Sequence, residues 1–361
     1  MKNLNANVQG AGLSSIHKFP WKWQFSDIAN VKKNGLNVFS CFSCGGGSSM
    51  GYKLAGYDVI GNVEIDPRVM EIYKLNNHPK YSYLMDVRDF IKISDTQLPE
   101  ELFHLDILDG SPPCSVFSTA GVREKGWNIE KVFREGQTKQ KLDDLFFYFI
   151  RIAEKLKPRV IIAENVSGLI KGNAKGYVNE IFKAFNTAGY KAQLFLLNSA
   201  YMGVPQMRER VFFIAQRNDQ NFPNLKLNFN EKPIAFGEVR SSQGKPLNEN
   251  TKTAKLLAHR KNNDKSLADI NKRLHGKRSC YTEFIVSDDS ICNTITAHGG
   301  IYRMCDGMKF SDNDFINVQT FPQDYDFLDQ SVPYVCGMSV PPLMMAHVAA
   351  EIYNQWLKPT A

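Results

Sequence analysis

The sequence predicts a doubly wound α/β sheet with a smaller, irregular second domain, and three observations predict it. Short apolar, β-favouring runs alternate with helix-spaced stretches from Leu36 to about Arg217. A glycine run, Gly45-Gly46-Gly47, joins the first strand of that alternation to its first helix. After Arg217 the alternation fades, and residues 218–280 are rich in Asn, Lys and Gln with only short apolar runs.

Residues 1–35 have weak periodicity, with Trp21 and Trp23 in a mixed stretch, and read as an extension that packs on the body. Leu36–Phe42 reads as a strand, the glycines as a turn, and Met50–Leu54 as the start of a helix. Tyr57–Val63 is a second strand, ending at Glu64. His104–Leu108 is another, closing at Pro112-Pro113-Cys114. Leu142, Leu145, Phe146, Phe149, Ile150, Ala153 and Leu156 keep helical spacing until Pro158 stops the helix. Val160–Ala163 is a short, fully apolar strand of the kind buried in parallel sheets. Val211–Ala215 is a further apolar strand. The polar, aperiodic stretch 115–141 is predicted to be a long loop of the lid type.

With 361 residues the chain exceeds one average domain, and 43% hydrophobic content is ample for a core. No apolar run approaches a membrane span and no signal pattern opens the chain, which predicts a soluble, cytoplasmic protein without a membrane partner. Seven cysteines without a disulfide rhythm fit a reducing compartment. Cys41 and Cys44 form a C-x-x-C, but no second pair or His cluster lies at zinc spacing, so no metal is expected. The net charge of +7 is concentrated. Lys252, Lys255, Arg260, Lys261, Lys265, Lys272, Arg273, Lys277 and Arg278 stand against only Asp264 and Asp269, and the rest of the chain is close to neutral. A basic block on a neutral body is the footprint of polyanion binding, and it favours nucleic acid over a merely solvated face.

Four constellations could carry chemistry. Cys114 follows a β-favouring run and two stiffening prolines, where open α/β sheets place their reactive groups. The local residues leave it open between a nucleophile and a small packed hydrophobe. Glu64, seventeen residues after Gly47, ends the second strand where an acid can hold ribose hydroxyls, though the glycine run does not match G-x-G-x-x-G. Glu164 closes an apolar strand and is either a proton-holding carboxyl or a turn cap. Arg208 and Arg210 lead into a strand two positions apart and are expected on one face, as anion donors or as an ion-pair ladder.

Taken in order, these segments resemble the cytosine-5 DNA methyltransferases. The resemblance rests on Phe42-Ser-Cys-Gly-Gly-Gly47, Glu64, Asp86-Val87, Pro113-Cys114 with Phe117-Ser118, and Glu164-Asn165-Val166. It continues through Gln206-Met-Arg-Glu-Arg210, Asp314-Phe315 to Phe321-Pro-Gln-Asp-Tyr325, and Gly337-Met-Ser339-Val340. The match spans about residues 36–355 and leaves 218–310 as an unmatched insert. It implies a Rossmann-like, S-adenosylmethionine-dependent methyltransferase sheet with an irregular target-recognition domain. The division it implies is an extension 1–35, a catalytic and cofactor-binding domain 36–217, a recognition domain 218–335, and a returning segment 336–361.

By resemblance, Cys114 is the nucleophile for carbon 6 of a flipped cytosine, and Glu164 holds the ring at N3. Arg210, with Arg208, contacts the base oxygen, Glu164 or neighbouring backbone. The cofactor pocket implied is Phe42, Gly45 and Gly47 at the methionine end, Glu64 at the ribose, and Ile65, Asp86 and Val87 around the adenine. Pro113, Leu145, Ser339 and Val340 complete it. The basic block falls in the insert, so Lys252, Lys255, Arg260, Lys261, Lys272, Arg273, Lys277 and Arg278 are the expected contacts to double-stranded DNA. A cognate restriction endonuclease is the implied companion, with no obligate protein partner. Two rivals remain: a tRNA cytosine-5 methyltransferase, whose Cys-Phe-Thr signature Cys280-Tyr281-Thr282 nearly matches, and a non-catalytic DNA-binding subunit. The chain departs from the family's usual residues at Ser40 (commonly Asp), Cys44 (Gly), Ile65 (an aromatic) and Met338 (Asn).

Overall fold

In the computed structural model, residues 17–113, 145–170, 175–276 and 283–359 are described. After helix α1 (Phe25–Ala29) the chain alternates β1 (Asn37–Cys41), α2 (Gly47–Leu54), β2 (Asp58–Glu64), α3 (Pro67–Asn77), β3 (Tyr81–Leu84), α4 (Val87–Phe90) and β4 (Ile107–Gly110). It continues with α5 (Leu145–Leu156), β5 (Val160–Val166), α6 (Lys175–Thr187), β6 (Tyr190–Asn198), β7 (Gln206–Met207) and β8 (Glu209–Arg217). Shorter elements follow: α7 (Phe236–Val239), α8 (Lys252–Leu257), α9 (Leu267–His275), β9 (Phe284–Val286), β10 (Cys292–Asn293) and β11 (Ile301–Arg303). Helices α10 (Asp312–Gln319), α11 (Val332–Met338) and α12 (Pro342–Ile352) close the order.

Contacts divide the chain into two units. One comprises Val31–Leu197, Glu209–Asn228 and Ala346–Ala361; the other comprises Met1–Asn30, Asn198–Arg208 and Phe229–Met345.

The first unit holds a seven-stranded sheet of order β3-β2-β1-β4-β5-β8-β6, which makes it a Rossmann-like α/β fold. Strands β3, β2, β1, β4 and β5 run parallel, and β8 is antiparallel to β5. The order reverses between β1 and β4, and ligands of open α/β sheets bind outside the carboxyl ends of the strands at such a point. Both turns singled out in the sequence leave from there: the glycine turn from β1 and the Pro-Pro turn from β4. Phe39, Leu108, Phe149, Ile161 and Phe213 are fully buried in the core beneath.

Of the strand boundaries that differ from expectation, two bear on the site, while β8 begins at Glu209 and so takes in Arg210. Strand β4 begins at Ile107 rather than His104, because Asp106 is committed to side-chain bonds: its carboxylate accepts from the Asn37 amide and the Arg159 guanidinium. Strand β5 runs past Ala163 to Val166, because its register with β8 continues to Val166–Arg210. Glu164 therefore lies inside a strand, not beyond one.

In the second unit, β7 pairs with β10 and β9 with β11 as two small ribbons. Leu256, Leu257, Leu267, Ile270 and Ile285 form a small core there. The indole of Trp23 is buried and donates to the Thr320 carbonyl at 2.9 Å, which ties part of the predicted N-terminal extension into this unit. One membrane expectation needs correction. The 26 residues Val332–Leu357 are long and apolar enough to span a bilayer, yet 83% of their 18-residue apolar window is buried in the protein. Ser339, with extended backbone, also separates α11 from α12. Core burial, not lipid, accounts for the composition.

Candidate active site

The glycine turn is held in an unusual shape. Phe42 and Cys44 have φ of 54° and 46°, and Gly46 has φ of 78°. Left-handed backbone at two non-glycine residues in one turn is the kind of strain that functional sites hold. Gly46 is required for a second reason: a Cβ there would lie 2.3 Å from Nδ2 of buried Asn77.

Glu64 fixes this turn from the next strand. One carboxylate oxygen accepts the Cys44 amide at 2.9 Å; the other accepts the Ile65 and Asp66 amides at 2.9 and 3.0 Å. Burial pushes its carboxyl above the usual carboxylate range, against the pull of those three amides. A carboxylate offers about four acceptor sites, so capacity remains for one further donor. The Asn62 side chain donates to the Ser43 hydroxyl at 2.9 Å and holds the turn's other limb. Ile65 is half-buried and Val87 buried. Asp86 caps α4 through the Arg88 amide. Burial raises the Asp86 carboxyl, but its bonds to Arg88 outweigh that and hold it below the usual range. Phe42 packs against Phe149 with ring centroids 6.4 Å apart, and Leu145 is buried at the described start of α5.

The Pro-Pro turn is anchored by the strand beside it. Asn165 Nδ2 donates to the Pro112 carbonyl at 3.0 Å in a buried contact. Pro113 is the last described residue of this segment. Cys114 and the loop 115–141 lie outside the described residues.

At the same end of the sheet, Arg210 Nε lies 2.8 Å from Glu164 Oε1, with side chains 14% and 9% exposed. Burial lowers the guanidinium's affinity for its proton and Glu164 opposes that; an arginine remains charged regardless. Asp109 of β4 is buried as well, and accepts hydrogen bonds from the Ser40 hydroxyl at 2.8 Å and the Tyr52 hydroxyl at 3.1 Å. Desolvation pushes its carboxyl up to about 7 despite those bonds, with the Glu164 charge adding to the rise. The sequence reading gave Asp109 no role, although a carboxylate inside an apolar strand was a visible signal.

Arg208 does not share a face with Arg210, because it sits between β7 and β8 instead of within a strand. Its guanidinium donates to the carbonyls of Ile295, Gly337 and Ser339 at 3.2, 3.0 and 3.1 Å. Gln319 also donates to the Ser339 carbonyl, at 2.7 Å. Ser339 is thus a buried backbone anchor of the second unit, and Val340 beside it is buried.

The basic block resolves into two kinds of residue. Lys252, Lys255, Lys261, Lys265 and Lys272 are exposed. Arg260 instead donates to the carbonyls of Met304, Leu257 and Cys305, while Arg273 pairs with Asp264 at 2.6 Å and bonds the His259 carbonyl. Lys277 and Arg278 lie outside the described residues, as does Cys280-Tyr281-Thr282.

The sequence profile of the C-5 cytosine-specific DNA methylases matches residues 36–354. A Type II methyltransferase of Haemophilus parahaemolyticus, M1.HphI, is 26% identical over 88% of this chain and 86% of its own length. M.NgoMIV of Neisseria gonorrhoeae is 29% identical over 85% of this chain and 94% of its own. M.Sau96I of Staphylococcus aureus is 34% identical, over 57% of this chain and 45% of its own. In three dimensions the chain is similar to the Dnmt2 methyltransferase of S. pombe, with a TM-score of 0.59 at 16% identity, covering 88% of this chain and 98% of that one. Profile and relatives together make the chain a member of the C-5 cytosine-specific DNA methylase family, a DNA cytosine-5 methyltransferase.

Proposed function

We propose that this chain methylates carbon 5 of a cytosine flipped out of double-stranded DNA, through a covalent adduct to Cys114, with S-adenosylmethionine as the methyl donor. The observation that carries the reading is the gathering, at the carboxyl ends of adjoining strands, of the glycine turn after β1, the anchored Pro112-Pro113 segment after β4 and the buried Glu164–Arg210 pair of β5 and β8.

The residues present fit the cofactor. Glu64 keeps acceptor capacity for a ribose hydroxyl after its three amide bonds, and Ile65, Asp86 and Val87 stand at the ends of the neighbouring strands. Phe42, Gly45, Gly47, Pro113 and Leu145 would hold the remainder. When bound, the cofactor supplies an electrophilic methyl on a sulfonium.

Cys114 contributes the thiolate that adds to carbon 6, which carbon 5 of free cytosine needs before it can act as a nucleophile. Glu164, oriented by Arg210, holds the ring at N3 through a proton, easing charge onto the pyrimidine. After carbon 5 has taken the methyl, loss of its proton expels the Cys114 thiolate and restores the ring. Drawing the base from the stack costs roughly a few kcal/mol, offset by pocket contacts. The five exposed lysines of the second unit are assigned to the DNA phosphates. The Type II names of the relatives support a place in a restriction-modification system, with an endonuclease acting on the same site.

The test is Cys114→Ser in a tritiated-methyl transfer assay on duplex DNA and tRNA side by side. Methyl transfer to DNA by the wild type, its loss in the variant and retained DNA binding are expected. Full activity of the variant removes the nucleophile assignment, and faster methylation of tRNA overturns the DNA reading.

A further inference from the structure

Asp109 stands at the centre of the elements that carry the site. Its two carboxylate oxygens accept from different elements: Ser40 Oγ on β1, next to the residue that leads into the glycine turn, and Tyr52 Oη on α2, the helix that turn begins. Asp109 itself lies on β4, directly upstream of Gly110 and the Pro-Pro turn. All three residues are buried, Asp109 to 1% exposure. A serine occupies position 40, where the resembling family commonly has an aspartate, and the carboxylate stands instead on the adjoining strand, directly opposite it: Ser40 and Asp109 are register partners.

We propose that Asp109 is the positioning residue of the cofactor turn, bracing the end of β1 and the start of α2 so that residues 42–47 keep their left-handed, ligand-facing shape. This rests on the cofactor reading above, which it deepens. Two hydroxyl donors aimed at one carboxyl are held more strongly when that carboxyl is ionised, since charge-assisted hydrogen bonds are roughly twice as strong as neutral ones. Ionisation is opposed by burial, so the brace tightens as pH rises through about 7. The titratable groups facing Asp109 are Cys41 on β1, Tyr52 on α2, Tyr73 on α3 and Glu164 on β5. Burial drives the thiol and both phenols up, which leaves them neutral across the range in which Asp109 titrates.

The experiment measures S-adenosylmethionine Kd by calorimetry for the wild type, Asp109→Asn and Ser40→Ala at pH 6 and pH 8. Amide hydrogen exchange of residues 43–47 is followed in the cofactor-free chain. Wild-type affinity should tighten from pH 6 to pH 8. Asp109→Asn should bind roughly tenfold more weakly at pH 8, with no pH response and faster exchange at the turn, as expected for a lost charge-assisted bond. Ser40→Ala should weaken binding by roughly threefold and keep the pH response. Wild-type affinity and pH response in Asp109→Asn overturn the proposal, whatever its melting temperature. Should that variant not fold, wild-type affinity in Ser40→Ala overturns it equally. A wild-type chain that binds no S-adenosylmethionine overturns the cofactor reading, and the exchange rates then decide whether Asp109 braces the turn.

Discussion

Arg210 and Glu164 form a buried ion pair at 2.8 Å although they are not register partners: Glu164 faces Phe212 across β5 and β8, and Arg210 faces Val166. The pair is diagonal, two residues apart along the strand, which puts both side chains on one face of the sheet. A long guanidinium reaches back along β8 to fix a shorter carboxylate. The geometry sets the orientation of Glu164 before any substrate arrives.

Removing one member leaves the other charged and desolvated. Arg210→Met should destabilise the chain by about 3–5 kcal/mol in urea unfolding and reduce methyl transfer by at least ~100-fold. Glu164→Gln, which keeps the shape, should retain most stability yet lose comparable activity. Wild-type stability in Arg210→Met would show that the pair is not coupled.

Lysines and arginines of the basic block should separate by phenotype. Lys255→Gln with Lys272→Gln should lower the slope of log affinity against log salt by about 2, one phosphate contact each. Arg260→Ala and Arg273→Ala should instead lower the melting temperature, by loss of their carbonyl and Asp264 bonds, worth about 0.5–1.5 kcal/mol each. An unchanged salt slope in the lysine variant removes those residues from the interface.

Gly46→Ala places a methyl 2.3 Å from Asn77 Nδ2 and forces alanine to a φ of 78°. Loss of about 1–3 kcal/mol is expected, with weaker cofactor binding. Adding Asn77→Ala should recover the steric part and leave the backbone part. Full recovery would mean that the turn's left-handed shape carries no energy.

Asp109 also predicts a pH dependence of stability. Its carboxyl titrates near 7 in the folded chain and near ~4 unfolded, so the folded state holds the extra proton between those values. Stability from this group is fully present below the unfolded value and is lost as pH rises through 7. The melting temperature of the wild type relative to Asp109→Asn should therefore fall between pH 4 and pH 8. A constant difference across that range contradicts the shifted titration.

The sheet was legible because strands buried on both faces are nearly all apolar; Val160–Ala163 and Val211–Ala215 were read from composition alone. Glu64 and Glu164 were legible for the converse reason, as charges at the ends of such runs. What the sequence hid was pairing. Nothing local shows that Arg208 reaches the carbonyls of 295, 337 and 339 while Arg210 reaches Glu164. Nor does spacing tell an exposed lysine from an arginine bound to three carbonyls, as at Arg260. Asp109 was hidden differently: its meaning depends on Ser40, sixty-nine positions away, which spatial register alone brings opposite.

Arg208 also bears on the order in which the chain can acquire its structure. All seven strands of the large sheet lie within the first 217 residues, so a nascent chain holds every one of them early. The carbonyls that receive Arg208 are 87 to 131 residues further on. A guanidinium is too costly to bury without acceptors, so the burial of Arg208 depends on residues that reach to the α11 end.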